Sequence, residues 1–229
     1  MTRGSRPDTS PPAPYQLIAF DVDGTLVDHP EGKVVWQVLN QRFGGDPAEN
    51  AARFKSYLGG EITYPQWVDL DVGDWQQAGA TRAQIVAEIR AQLHLVRGAE
   101  QALSELAQRG YRLAVISGTL DIVIDQLFPV HPFEVLYTNH IWFDDQGKIA
   151  GWEATPYDME GKARALRATA AKMEIPLDRT VFVGDNINDL QAMAAAGLAV
   201  AFEPKDPKVS AAADHVIEGD MGRLLDVLG

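Results

Sequence analysis

The most constraining feature of this sequence is the stretch from Leu17 to Leu26, LIAFDVDGTL, in which a short apolar run ends in two aspartates. Such a run before a glycine predicts a buried strand, and the carboxyl ends of parallel strands are where open α/β sheets bind ligands. Side chains alternate along a strand, so we expect Asp21 and Asp23 to face the same way while Val22 turns toward the core. Read alone, Asp23-Gly24 is equally typical of an ordinary turn. Three later segments favour the first interpretation.

Length and composition limit the class of protein. With 229 residues and 46% apolar content, the chain can form one full domain and an inserted smaller one. A net charge of −12 argues against nucleic acid or an anionic membrane as partner, because both would repel the chain. The sequence has no cysteine, and no apolar run approaches the roughly 18 residues that span a bilayer. We therefore expect a cytoplasmic protein, while the oligomeric state is not indicated.

Hydrophobic spacing divides the chain into three parts. Residues 1–14 are rich in Pro, Ser, Thr and charge, which predicts a disordered leader. Residues 31–95 show helical spacing interrupted by glycines, which predicts a small helical cap inserted after the first strand, with helix starts at Asp46-Pro47 and Thr81. Residues 15–30 and 96–229 alternate between strand and helix patterns, which predicts an α/β core with an open, mostly parallel Rossmann-like sheet.

The elements of this core can be placed from the same patterns. We expect strands at 113–116, 135–137, 180–183 and 198–201, and helices at 99–109, 121–127, 160–173, 190–196 and near 221–228. A hairpin is expected where 141–143 and 148–150 flank a turn of two aspartates, a glutamine and a glycine. Because the predicted strands run parallel, their carboxyl ends should meet at one edge of the sheet.

A second segment with candidate chemistry is AVISGT, where a predicted buried strand ends in Ser117 and Gly118. The Ser117 hydroxyl, together with the N–H groups of Gly118 and Thr119 at the start of the next helix, would form an anion-binding nest. The alternative is that Ser117 only caps that helix, and this segment alone favours capping.

Two further segments add acids and a lysine. The sequence GDNIND repeats the order strand, glycine, two acids, so Asp185 and Asp189 can converge on one point with the Asn188 amide beside them. Lys162 lies 23 residues before Asp185, in a helix first turn where the dipole disfavours a cation. With Asp21 and Asp23, four carboxylates would meet a single ammonium group, a cluster that requires a divalent cation to stay ionised. Oxygen ligands of this kind suit Mg²⁺.

Taken in order and type, these segments resemble the four motifs of the haloacid dehalogenase-like superfamily: Asp21-Val22-Asp23-Gly24-Thr25, Ser117, Lys162, and Gly184 through Asp189. The resemblance extends over essentially the whole chain after residue 14. Within that superfamily the stretch VISGTLD, the hairpin before Lys162 and the spacing from Lys162 to Asp185 are most similar to the phosphoserine phosphatase branch.

The resemblance implies a Mg²⁺-dependent phosphomonoester hydrolase that acts on a small phosphorylated metabolite. Asp21 would be the nucleophile that forms an aspartyl-phosphate, and Asp23 the acid and base. The expected Mg²⁺ ligands are the Asp21 carboxylate, the Asp23 carbonyl and Asp185, with Asp189 as a further ligand or an anchor behind the ligands. The residues expected to bind the phosphoryl group are Ser117, Gly118, Lys162 and Asn188.

The resemblance fails at two positions, one just before the predicted cap and one within it. Pro30, followed by Glu31, stands where phosphoserine phosphatases have a Glu that binds the substrate amine, and Asp71 stands where they have an Arg for the substrate carboxylate. An acid would repel that carboxylate, which argues against phosphoserine as the substrate. Aromatic residues of the predicted cap could line a substrate pocket, although in a small insert they more often form its own core: Trp36, Tyr64, Trp67 and Trp75.

Two other functions are compatible with the sequence. A phosphomutase of the same superfamily also needs Asp23, but returns the phosphoryl group to its substrate instead of to water. A binding or regulatory protein could keep the fold without turnover, and loss of a motif residue would be the expected sign of it. All four motifs are present.

Overall fold

The computed structural model of the chain describes residues 14–229. The predicted leader therefore lies outside the described residues except for Pro14. Nine strands occur in the described part: β1 (Leu17–Phe20), β2 (Val27–Asp28), β3 (His94–Leu95), β4 (Arg112–Leu120), β5 (Phe133–Phe143), β6 (Ile149–Glu153), β7 (Thr180–Gly184), β8 (Leu198–Phe202) and β9 (His215–Ile217). The α-helices of the same residues are α1 (Val35–Phe43), α2 (Pro47–Leu58), α3 (Tyr64–Gln77), α4 (Arg82–Gln92), α5 (Ala99–Gln108), α6 (Asp121–Leu127), α7 (Lys162–Lys172), α8 (Leu190–Ala195), α9 (Pro207–Ala212) and α10 (Leu224–Leu228).

A seven-stranded sheet in the order β6-β5-β4-β1-β7-β8-β9 organises the molecule. Every neighbouring pair is parallel except β5 and β6, which form the predicted antiparallel hairpin. The predicted fold class, an open and mostly parallel α/β sheet, is confirmed. In the centre, Phe20 of β1 is in register with Val115 of β4 and Val183 of β7. The chain leaving these three strands therefore emerges at one edge.

The sequence of β1 explains its central place. All four of its side chains are fully buried, as the apolar run LIAF requires of a strand covered on both faces. Ile18 and Phe20 join the larger apolar cluster, whereas Leu17 and Ala19 join the smaller one on the opposite face. Helices α7 and α8 cover the smaller cluster, and α5, α6 and α10 pack in the larger.

Helices α1 to α4 lie between β1 and α5, where the sequence predicts a helical insert. The two predicted helix starts are confirmed, since Asp46 and Thr81 cap α2 and α4 by accepting backbone N–H bonds from Ala48 and Gln84. The short strands β2 and β3 pair antiparallel at the base of this insert, which sequence patterns did not predict. The exact domain boundaries at residues 30 and 96 stay a prediction.

The clearest differences from the predicted elements are in β4, β5 and α7. Strand β4 continues to Leu120 instead of ending at Ile116, because Leu120 still pairs with Asn139 of β5 beyond a register shift. Strand β5 runs without a break through 133–143, which joins two predicted pieces. Helix α7 starts at Lys162 and not at residue 160. The short elements α9 and β9 were not predicted.

None of the helices within residues 14–229 combines the length and apolar character needed to cross a bilayer. The cytoplasmic location stays a prediction.

Candidate active site

Three neighbouring strands deliver the predicted site residues to one place. Asp21 follows β1, Ser117 lies near the end of β4, and Asp185 follows β7. The Asp21 backbone N–H donates to the Val183 carbonyl at 2.9 Å, which ties the end of β1 to β7. Asp21 and Asp23 line the same cavity while Val22 between them is fully buried, as strand alternation predicts.

The carboxyl groups of Asp21, Asp185 and Asp189 form a compact cluster. One oxygen from each lies within 4.8 Å of the others, and all three residues are buried. Hard divalent cations prefer carboxylate oxygens as ligands, and buried acids so close together need a positive charge nearby to stay ionised. The donor set therefore fits a Mg²⁺-type ion.

Glycines permit this close approach. Gly24 has a positive φ of 88°, and a Cβ built on it would lie 2.2 Å from Asp185 Oδ2. At Gly184, a Cβ would lie 2.4 Å from Asp189 Cγ. Any side chain at either position would push an acid out of the cluster, so the glycines in DVDGT and GDNIND serve the packing of the acids.

Lys162 is the positive partner within this cluster. It is the first residue of α7, is 1% exposed, and donates from Nζ to Asp189 Oδ1 at 2.6 Å and to Asp21 Oδ1 at 2.8 Å. Burial alone would lower the pKa of Lys162, but the charges and hydrogen bonds of Asp189 and Asp21 outweigh it and raise the pKa, so the ammonium form is stabilised. The prediction that Lys162 joins the acids, against its helix dipole, is thus matched by its position.

Asp189 is fully occupied by contacts within the protein. One carboxylate oxygen accepts a hydrogen bond from the Lys162 ammonium group. The other accepts hydrogen bonds from the backbone N–H groups of Asp185 at 3.0 Å and Asn186 at 3.1 Å. These bonds fix the loop that presents Asp185. Of the two roles considered for Asp189, the contacts favour an anchor behind the ligands.

Asp23 and Asp185 have raised pKa values. Enclosure by protein, followed by the charge of Asp21, raises the pKa of Asp23 to about 7. Burial, then the charges of Asp21 and Asp189, raise the pKa of Asp185. A cation between Asp21 and Asp185 would reverse the shift at Asp185, whereas a half-protonated Asp23 near neutral pH suits a group that both donates and accepts a proton.

The predicted anion-binding nest is only partly formed. Ser117 and Gly118 line the cavity, but both belong to β4 and not to a helix start, and α6 begins three residues beyond Gly118. The Thr119 N–H is not free, because it donates to Ser117 Oγ at 3.1 Å. The prediction that Thr119 N–H serves an anion is therefore wrong, and so is the capping alternative for Ser117.

The Gly118 carbonyl is held by two residues that sequence reasoning did not assign to this position. Trp36 Nε1 of α1 donates to it at 2.8 Å, and Asn139 Nδ2 of β5 at 2.7 Å. Asn139 also donates to the Tyr64 hydroxyl at 2.7 Å. These contacts connect the helical insert to the backbone of the predicted phosphate-binding segment. No local sequence signal reveals them, since the partners are 82, 21 and 75 residues apart.

Asn188, predicted to contact phosphate, lines the cavity but donates its amide to the Asp158 carbonyl at 3.0 Å. It thereby holds the loop before α7. Asp158 itself lines the cavity and was not predicted; burial raises the pKa of its carboxyl group.

A cavity of about 900 Å³ lies over these residues, between the sheet edge and helices α1 to α3. Of the four aromatic residues singled out in the helical insert, Trp75 is fully buried and packs in the apolar core, as expected if such residues form the core of the insert. The other three, Trp36, Tyr64 and Trp67, line the cavity, as expected if they form a substrate pocket. Both interpretations thus apply, to different residues.

Asp71 also faces this cavity, but its carboxylate is already paired. Asn40 Nδ2 donates to it at 2.8 Å and Arg53 at 3.0 Å, and Asp71 is 1% exposed. Glu31 is exposed and pairs with Lys33 at 2.6 Å. The two departures from the phosphoserine phosphatase pattern therefore remove the expected amine and carboxylate ligands.

We expect Lys162→Met to lower the free energy of unfolding by about 3–5 kcal/mol without divalent cations, because it leaves Asp21 and Asp189 buried without their positive partner. Urea unfolding measures the difference. The matched control is Lys172→Met at the exposed end of the same helix, for which a change within about 0.5 kcal/mol is expected. Equal stability of the two variants would contradict a charge-neutralising role for Lys162.

The fold and site define an α/β protein with a buried cluster of carboxylates at the carboxyl edge of its sheet. Comparison with known proteins specifies the class further. A sequence model described as haloacid dehalogenase-like hydrolase matches residues 15–197, and the chain belongs to this family.

Several proteins with similar sequences are named phosphoserine phosphatase. Phosphoserine phosphatase SerB2 of Mycobacterium tuberculosis is 32% identical over 191 residues, 83% of this chain and 44% of the relative. A phosphoserine phosphatase of Streptomyces coelicolor is 33% identical over 203 residues, 88% of this chain and 47% of the relative. This chain thus spans about half the length of these two. A solved structure described as a phospho-aspartyl intermediate analogue of phosphoserine phosphatase matches with a TM-score of 0.73 and 27% identity, covering 94% of this chain and 99% of that one.

Proposed function

We propose that this protein is a Mg²⁺-dependent phosphomonoester hydrolase that works through an aspartyl-phosphate on Asp21. The observation that carries the proposal is the contact of Asp21 with Lys162 inside the cluster of Asp21, Asp185 and Asp189. A carboxylate, a cation site and a buried ammonium within one cluster are what in-line phosphoryl transfer requires. Membership in the hydrolase family and the likeness to the phospho-aspartyl analogue structure support it.

The residues divide the reaction as follows. Asp21 attacks phosphorus while the Ser117 hydroxyl and Lys162 hold the phosphoryl oxygens. Asp23 protonates the departing alkoxide and then takes a proton from the water that hydrolyses the aspartyl-phosphate. Val35 N–H donates to Asp23 Oδ1 at 3.1 Å and keeps that carboxyl group in the cavity.

Mg²⁺ would be held by Asp21, the Asp23 carbonyl and Asp185, and when bound it neutralises charge on the transferring phosphoryl oxygens. Asp189 and Gly184 shape the loop behind it. Helices α1 to α3 cover the cavity, and this cover limits the access of bulk water during phosphoryl transfer.

The test is hydrolysis of 4-nitrophenyl phosphate by the purified chain. We expect release of inorganic phosphate with Mg²⁺ present, loss of at least about 99% of it on adding EDTA, and recovery when excess Mg²⁺ is restored. Phosphate release that is insensitive to EDTA would reject the metal, and no release from a broad panel of phosphomonoesters would reject the hydrolase. Isomerised sugar phosphate without free phosphate would identify a phosphomutase instead.

A further inference from the structure

The cavity is much larger than a phosphoryl group. Its volume of about 900 Å³ falls near the upper end of small-molecule pockets, so a sizeable leaving group can be enclosed with the phosphate. The end against the sheet is polar and holds Asp21, Ser117 and Asp185. The end against the helices carries four aromatic side chains, Trp36, Phe54, Tyr64 and Trp67, beside polar ones such as Gln37 and Asn50.

These rings form a pre-arranged wall, in which Phe54, Tyr64 and Trp67 pack on one another. Trp36 is fixed separately, by its ring contact with Trp75 at 5.3 Å and its bond to the Gly118 carbonyl. The Trp67 ring lies 5.5 Å from the Phe54 ring and 6.2 Å from the Tyr64 ring, and Tyr57 stacks on it at 5.3 Å from outside the cavity lining. Packing among rings at these distances fixes their orientation. Since the rings are held in place before any ligand arrives, a planar apolar group can bind against them at little cost in side-chain ordering.

Positive charge is scarce at this end. Among the described residues that line the cavity, Lys33 is the only lysine or arginine, and it is paired with Glu31 at 2.6 Å. The nearby Arg53 donates to Asp71 at 3.0 Å and to Asp74 at 2.7 Å. A substrate carboxylate would have to displace one of these acids to gain a charge-assisted hydrogen bond.

Negative charge is present instead. Asp158 lines the cavity, together with Asp71 of α3 and the acids Asp21, Asp23 and Asp185. A second anionic group on the substrate, beyond the phosphate, would therefore meet several carboxylates, and among the described lining residues only Lys33, already paired with Glu31, offers a positive charge.

We propose that the substrates of this site are phosphomonoesters whose alcohol portion is an apolar, ring-containing group without a carboxylate, bound against the wall formed by Trp36, Phe54, Tyr64 and Trp67. The inference rests on the proposed phosphomonoesterase function and specifies its substrate class. Trp67, at the centre of the ring contacts, is the specificity-determining residue.

The first test compares 2-phenylethyl phosphate with O-phosphoserine and methyl phosphate, three alkyl esters with leaving groups of similar reactivity. We expect kcat/KM for 2-phenylethyl phosphate to exceed that for O-phosphoserine by at least about 10-fold. Trp67→Ala should lower the ratio of kcat/KM between 2-phenylethyl and methyl phosphate by about 10-fold. The matched control is Trp142→Ala on β5, where the ring is 48% exposed and outside the cavity lining, and it should leave that ratio unchanged.

The second test measures binding without turnover. With Mg²⁺ present, calorimetry should show 3-phenylpropylphosphonate binding about 10-fold tighter than methylphosphonate, with the difference reduced in Trp67→Ala. Preference for O-phosphoserine, equal ratios in Trp67→Ala and Trp142→Ala, or equal affinity for the two phosphonates would overturn the inference. Failure to hydrolyse even 4-nitrophenyl phosphate would reject the proposed function, while the phosphonate titration would still decide the ring preference.

Discussion

Replacing Asp21 by Asn is expected to lower kcat for phosphomonoester hydrolysis by about 10⁴-fold or more. The amide has nearly the shape of the carboxylate, but it is a poor nucleophile and cannot form the aspartyl-phosphate. The Asp21 carboxylate also forms an ion pair with the Lys162 ammonium group at 2.8 Å, so the substitution removes the charge that orients this ammonium group. Release of inorganic phosphate under saturating substrate measures the effect.

The control for this substitution is Asp125→Asn, the same chemical change at an exposed position on α6. It should keep full activity. In addition, mass spectrometry of acid-quenched enzyme should find one phosphoryl group on the peptide that contains Asp21 in the wild type and none in Asp21→Asn. Activity of Asp21→Asn within about tenfold of the wild type would show that the nucleophile is another residue.

Asp185→Asn is expected to raise the Mg²⁺ concentration needed for half-maximal activity by at least about 100-fold. A neutral amide oxygen is a weaker ligand than a carboxylate, and the loss of charge also leaves Asp21 without its partner acid at the cation site. A titration of activity against Mg²⁺ measures the shift. The fold itself should persist, because Asp189 still holds the loop through its bonds to the Asp185 and Asn186 N–H groups.

The matched control is Asp178→Asn, an exposed acid next to the opposite end of β7. Its Mg²⁺ dependence should equal that of the wild type. An unchanged Mg²⁺ dependence in Asp185→Asn would place the cation elsewhere.

Short-range patterns predicted much of this fold. The run LIAF predicted a buried strand, which lies in the centre of the sheet, and the helix predicted at 121–127 agrees with α6 to the residue. Glycines were expected to interrupt the helices of the insert, and Gly44 and Gly59 directly follow the ends of α1 and α2. Strand pairing then brought Asp21, Ser117 and Asp185 to one edge, because the carboxyl ends of neighbouring parallel strands must coincide.

The rest depends on contacts that sequence spacing does not encode. Ser117-Gly118-Thr119 read as a helix start, yet pairing of Leu120 with Asn139 keeps the segment extended. The bond from Trp36 to Gly118 depends on how the insert packs over the sheet. The ion pair between Asp71 and Arg53 also depends on packing within the insert, because the two residues lie on different helices and local periodicity does not relate them.

The proposed reaction depends on Asp21 and Asp185 sharing one divalent cation beside Lys162. Crystals of the wild type soaked in Mn²⁺, which has oxygen-ligand preferences similar to those of Mg²⁺, test this arrangement through anomalous scattering. We predict one strong peak within about 2.3 Å of a carboxylate oxygen of each aspartate. A peak on Asp185 that lies more than about 4 Å from every Asp21 oxygen, or a peak only outside this cluster, would contradict it.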